Sequence, residues 1–140
     1  MKVVIDTSVW ISALINKDGF SREVIKLALK DIIYPQINMP LFIEYESVSK
    51  REEIVKLTPL SQSEYEELFS AFISTMTWNE IYYLWRPNLK DKDDDFLVEL
   101  AVASNAKYII TENKKDFIDS ELKFGFKVLK PSDFLKEIKT

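Results

Sequence analysis

Hydrophobic and polar positions follow two rhythms along this chain: short solid apolar runs, and longer stretches at helical spacing. Lys2–Ile5 is short, apolar and β-branched and reads as a buried strand. Asp6-Thr7-Ser8 follow, all good helix caps, and Val9-Trp10-Ile11 with Ala13-Leu14-Ile15 make an apolar helix. Asn16-Lys17-Asp18-Gly19 is a turn, after which Ser21 caps a second helix carrying Val24, Ile25, Leu27 and Ala28. Ile32–Met39, with Pro35 inside it, predicts a short second strand and a loop. Pro40 suits the first turn of a third helix, which carries Leu41, Phe42, Glu44, Tyr45 and Val48 and turns basic at Lys50-Arg51. Thr58-Pro59 breaks that pattern. Ser61 and Glu64 have capping-box spacing and open a fourth helix through Phe69, Phe72 and Ile73. Trp78–Leu84 is aromatic, partly alternating and a strand candidate.

The second half is organised around Lys90-Asp91-Lys92-Asp93-Asp94-Asp95, which runs directly into Phe96-Leu97-Val98-Glu99-Leu100-Ala101-Val102-Ala103. A helix apolar on nearly every side belongs in a core. The acidic run at its start is therefore held at an edge of the fold. Asn105-Ala106 predicts the helix stop, Lys107–Thr111 a strand, Glu112–Phe117 a loop and short helix, Phe126–Leu129 a last strand, and Pro131-Ser132 the start of a terminal helix. Strands alternating with helices predict an α/β fold: one domain over residues 1–140, a three-layer α/β/α with a central parallel sheet of four to five strands.

Composition narrows the chemistry. With 140 residues, 46% hydrophobic and 13% aromatic, the chain can bury a real core. It has no Cys and no His, which removes disulfides, thiolate and imidazole metal sites, Cys nucleophiles and Ser-His-Asp catalysis. The apolar run Val3–Ile5 is too short for a signal peptide and no stretch is long enough to span a membrane, so a cytoplasmic location is expected. The net charge of -4 offers no global basic footprint for nucleic acid. It weighs less against a metal enzyme, whose bare carboxylates inflate the negative sum.

Several carboxylates converge by topology. Ligands of open parallel sheets bind outside the carboxyl ends of the strands. Asp6 lies directly after the first strand, and Glu112 and Asn113 directly after the Tyr108–Thr111 strand. A helix returning by a right-handed crossover starts at that same edge, which places Asp91–Asp95 there; Glu44, early in the helix after the second strand, can share it. Gathered carboxylates repel one another and call for a cation. With oxygen ligands only, Mg²⁺ or Mn²⁺ is favoured, an ion suited to activating water for phosphodiester cleavage.

These residues resemble the PIN-domain family, a small metal-dependent nuclease fold. Val3-Val4-Ile5-Asp6-Thr7-Ser8-Val9 resembles its opening, Leu41-Phe42-Ile43-Glu44-Tyr45 its second acidic motif, Arg86–Ala101 its third, and Ala106–Asn113 its last; Val128–Leu135 matches its usual ending. The nearest subgroup is the toxin components of toxin–antitoxin systems. The resemblance implies a ribonuclease that uses Mg²⁺ or Mn²⁺, is often a homodimer and is often inhibited by an antitoxin. It implies metal at Asp6, Glu44 and an Asp of the acidic run: Asp94 by counting from the helix stop, Asp95 by counting from Thr111, with Asp91 brought in by a D-x-x-D reading. Many members have Asp where this chain has Asn113, which weakens a second metal site.

Each residue also has a plainer reading. Asp6 by itself is a helix cap, Glu44 an exposed helix-face acid, and the acidic run a solvated loop, Asp93 above all. Thr7, Ser8 and Thr111 are caps or orienters of the carboxylates. Lys50, Arg51, Arg86, Lys90, Lys92, Lys114 and Lys115 flank the proposed edge, as phosphate contacts or as ordinary surface lysine and arginine. Trp10, Trp78, Trp85 and Tyr82-Tyr83 suit a core or an interface better than base stacking. Two functions compete with the nuclease: a catalytically weak or inactive scaffold of the same fold, and a phosphoacceptor receiver domain. The receiver needs an acidic pair at the first strand, where this chain has one Asp.

Overall fold

The computed structural model describes residues 1–80, 95–117 and 124–139. In chain order they form β1 (Lys2–Ile5), α1 (Thr7–Ile15), α2 (Phe20–Leu29), β2 (Tyr34–Ile37), α3 (Met39–Ser49), α4 (Glu52–Leu57), α5 (Gln62–Ser74) and β3 (Thr77–Trp78). Then come α6 (Asp95–Ser104), β4 (Tyr108–Ile110), a 3₁₀ turn (Lys114–Phe117), β5 (Lys127–Leu129) and α7 (Pro131–Lys139). The five strands pair in parallel in the order β3-β2-β1-β4-β5. The expected α/β architecture is therefore present, at the upper end of the expected strand count.

The order contains a reversal. From β1 the chain steps outward to β2 and β3; it then returns to β4 on the other side of β1 and steps outward again to β5. Right-handed crossovers put helices on one face during the first progression and on the other face during the return. Accordingly α1 packs on α2, α3 and α4, whereas α6 packs on β1, β2 and β4.

Strands β1 and β4 are solid with buried apolar residues: Val3, Val4, Ile5, Tyr108, Ile109 and Ile110. Such runs are expected where both faces of a parallel sheet are covered. Pro35 is tolerated in the interior strand β2 for a local reason. Tyr34 N–H turns toward β1, donating to Met1 O at 2.9 Å, so the next position faces the β3 side. There β3 pairs only with Gln36 and Ile37, and a missing donor at 35 leaves nothing unpaired. Outside the sheet, Trp10 of α1 stacks on Phe72 of α5 with centroids 4.6 Å apart and meets Tyr45 of α3 edge-on at 6.4 Å. This aromatic cluster fixes α1 against α3, and with it the two elements that carry Asp6 and Glu44.

The capping box at Ser61 and Glu64 is made as expected, with N–H to carboxylate at 2.9 Å and N–H to hydroxyl at 3.2 Å. So is the helix stop: Asn105 takes φ 59° and Ala106 N–H reaches back to Ala101 O at 2.9 Å. Other expectations need correction. Ser21 does not cap α2; the cap position is Gly19, without a side-chain bond. The basic end of the third helix is a break, after which Glu52–Leu57 forms a separate short helix. Of the strand expected over Trp78–Leu84, Trp78 ends β3 (Thr77–Trp78), Asn79 and Glu80 lie beyond it, and residues 81–84 lie outside the described ones. Among the described residues, no helix is long and apolar enough to cross a membrane.

Candidate active site

The strand order reverses between β1 and β4, and the carboxyl ends of the strands at such a point are where open α/β sheets bind ligands. Asp6 leaves β1 there, its N–H donating to Ile110 O at 2.9 Å, and Thr111 leaves β4 beside it, its N–H donating to Leu129 O at 3.0 Å. Asp6 is 5% exposed. It occupies the cap position of α1, yet its side chain makes no cap bond, so the plain-cap reading fails. Its carboxylate instead receives hydroxyls. Thr111 donates to Oδ2 at 2.6 Å and Ser8 to the same oxygen at 3.0 Å.

Thr7 joins this carboxylate to a second one. Its Oγ1 lies 2.5 Å from Glu44 Oε1 and 3.3 Å from Asp6 Oδ1. A hydroxyl has one proton to give, and the shorter contact takes it. Through this one hydroxyl the two acidic oxygens lie no farther apart than the sum of the two distances. The backbone supports the pair: Tyr45, next to Glu44 and fully buried, donates its hydroxyl to Ile5 O, the carbonyl just before Asp6. Burial, and then the negative charges of Asp6 and Glu44, push this phenol well above the usual tyrosine range.

Asn38 ties in a third element. Its side-chain oxygen accepts from Leu41 N–H at 3.0 Å, capping α3, while its amide donates to Phe96 O at 3.4 Å. The first turn of α6, which opens at Asp95, is thereby pinned against the start of α3. Asp91 and Asp94 lie outside the described residues, as does the neighbouring Asp93, and Asp95 is described by its backbone alone. Asn113 is exposed and its N–H donates to Thr111 Oγ1 at 2.9 Å. Glu112 turns away: its carboxylate accepts from Ser21 of α2 at 3.2 Å, and its N–H donates to Ser8 Oγ at 3.1 Å.

A family model described as PIN domain matches residues 2–115. The chain belongs to the PIN-domain family. Among solved structures, VapBC2 from Rickettsia felis bound to a DNA fragment from their promoter is similar to it, at 16% identity and a TM-score of 0.52. The match covers 93% of this chain and 98% of that chain, and at such identity the likeness is one of fold. No curated protein matches by sequence.

In this PIN domain the described donor set is two carboxylates and three hydroxyls, all oxygen, which fits a hard divalent ion and no thiophilic one. Each hydroxyl holds or braces a carboxylate oxygen, the arrangement that fixes metal ligands in place. Among the described residues no group of three or more acids could hold a metal ion, so Asp6 and Glu44 stand as a pair. Two supports escaped the sequence reading. Asn38 directly before Met39-Pro40 is a capping signature that could have been read. The Tyr45 bond to Ile5 joins residues far apart in the chain and left no local signal.

Proposed function

We propose that this PIN domain is a Mg²⁺- or Mn²⁺-dependent endoribonuclease, the toxin of a toxin–antitoxin pair. The observation that carries the reading is the convergence of Asp6 and Glu44 on one hydroxyl, Thr7, at the switch point of the sheet. Asp6 and Glu44 would hold the ion together with an acid from Asp91, Asp94 or Asp95. When bound, such an ion supplies an activated water and neutralises charge at the phosphate. The chain's own part is orientation: Thr111 and Ser8 fix Asp6, Thr7 fixes Glu44, and the Asn38 amide holds the start of the acidic helix close by. Asn113 contributes a neutral amide where an acid would strengthen a second metal.

The fold likeness to VapBC2 supports an antitoxin partner, and a homodimer working in the cytoplasm on RNA completes the proposal. The alternative is an inactive or weak scaffold of the same fold, favoured by Asn113 alone. The deciding experiment is cleavage of labelled RNA with Mn²⁺, with EDTA, and by Asp6→Asn. Cleavage that needs the metal and is lost in the variant supports the nuclease. Equal cleavage by Asp6→Asn removes the assignment, and no cleavage by the wild-type chain leaves the scaffold.

A further inference from the structure

The carboxyl edge carries a second feature beside Asp6, of opposite charge. Lys114 and Lys115 begin the 3₁₀ turn after β4, and Lys130 follows β5. With Glu112 and Asn113 they line a hollow of about 220 Å³. That is several times the ~30 Å³ share of a water molecule and enough for a phosphate group. Strands β4 and β5 pair with Ile110 opposite Leu129, so their exits, Thr111 and Lys130, emerge side by side. Thr111 also receives the N–H of Asn113 at 2.9 Å and donates to Asp6 at 2.6 Å, so one buried residue links the lining of the hollow to the carboxylate site.

Among the described residues these lysines form no ion pair; the ion pairs there use Lys26, Lys56 and Lys127. Glu112, the acid in the lining, is engaged by Ser21. In a chain of net charge -4, three ammonium groups around one hollow reverse the local sign. A polynucleotide approaching two carboxylates is repelled by them, and a neighbouring positive hollow offsets that repulsion. We infer that the hollow is an anion subsite for a phosphodiester of the nucleic-acid strand, flanking the phosphate at Asp6 and Glu44. The inference rests on the nuclease reading.

The test is binding of the full chain to a fluorescein-labelled single-stranded RNA, and to DNA of the same sequence, in EDTA across a KCl series. Lys114→Gln and Lys130→Gln should each weaken binding several-fold and flatten the salt slope by about 0.7, the value for one lost phosphate contact on a single strand. Lys130→Arg should restore both, the effect should be the same on DNA, and Lys56→Gln, on α4, should change nothing. Cleavage by the lysine variants should show a raised KM at unchanged kcat. Unchanged slopes, a dependence seen on RNA alone, or an equal loss in Lys56→Gln would overturn the subsite. Because binding is read without metal, a chain that cleaves normally but binds independently of the lysines sinks the subsite alone. A chain that binds through the lysines but never cleaves sinks the nuclease and keeps the subsite.

Discussion

Thr111→Val removes one atom's worth of chemistry from the candidate site and leaves its shape. Thr111 is fully buried, and its hydroxyl gives the shortest bond to Asp6, 2.6 Å. Valine fills the same volume but cannot donate. A hydrogen bond to a charged group contributes roughly 1.5–3 kcal/mol. The Asn113 N–H also loses its acceptor, at a cost that does not depend on the charge of Asp6. The strand bond from Thr111 N–H to Leu129 O is untouched. A loss of about 2 kcal/mol follows, or a fall in Tm of about 6–10 °C for a chain of this size. The assay is urea and thermal unfolding in EDTA, in the wild-type and the Asp6→Asn backgrounds. Against the neutral amide only an ordinary hydrogen bond is lost, about 0.5–1.5 kcal/mol, so the cycle should show a coupling of about 1 kcal/mol. A cost below about 0.5 kcal/mol, or the same cost in both backgrounds, would refute the claim that Thr111 holds a charged Asp6.

Two further outcomes are expected. Asn38→Ala removes a helix cap and the tie to Phe96 together, and should cost about 1–2 kcal/mol in urea unfolding while raising amide exchange in the first turn of α6. At the opposite side of the fold, the Tyr108 hydroxyl, then Lys127 at 3.1 Å, hold the Glu137 carboxyl below the usual range, and the same bond pushes Tyr108 up to about 12. A lowered acid contributes stability above its unfolded pKa and loses it as pH falls; a raised phenol contributes stability below its unfolded pKa of 10.0 and loses it as pH rises toward about 12. Glu137→Gln should therefore flatten both flanks of a Tm-against-pH curve, and unchanged flanks would contradict the pairing.

Much of the fold was legible because its signals are local. The solid apolar runs at Val3–Ile5 and Tyr108–Ile110, the capping box at Ser61 and the stop at Asn105 each depend on a few adjacent residues. The break that separates Glu52–Leu57 from α3 was not, because amphipathic residues run through it without Gly or Pro. Pairing also hid the true length of β3, which is set by Gln36 and Ile37 across the sheet. In the candidate site, the closeness of Asp6 to Glu44 followed from strand topology alone. Thr7, Ser8 and Thr111 could be named but not assigned, since caps and carboxylate orienters share one chemistry. Only the geometry shows their hydroxyls on acids and none on a helix end. Ser21 shows the reverse case: a residue ideal for a cap is used instead to hold Glu112 out of the site.

The most direct measurement is an anomalous difference map from crystals of the wild-type chain soaked in MnCl₂. A peak is expected within bonding distance, about 2.0–2.4 Å, of carboxylate oxygens of both Asp6 and Glu44, and it should vanish in Asp6→Asn. A manganese peak bound elsewhere with none between these two residues, or one that persists in the variant, would contradict the metal site on which the nuclease reading stands.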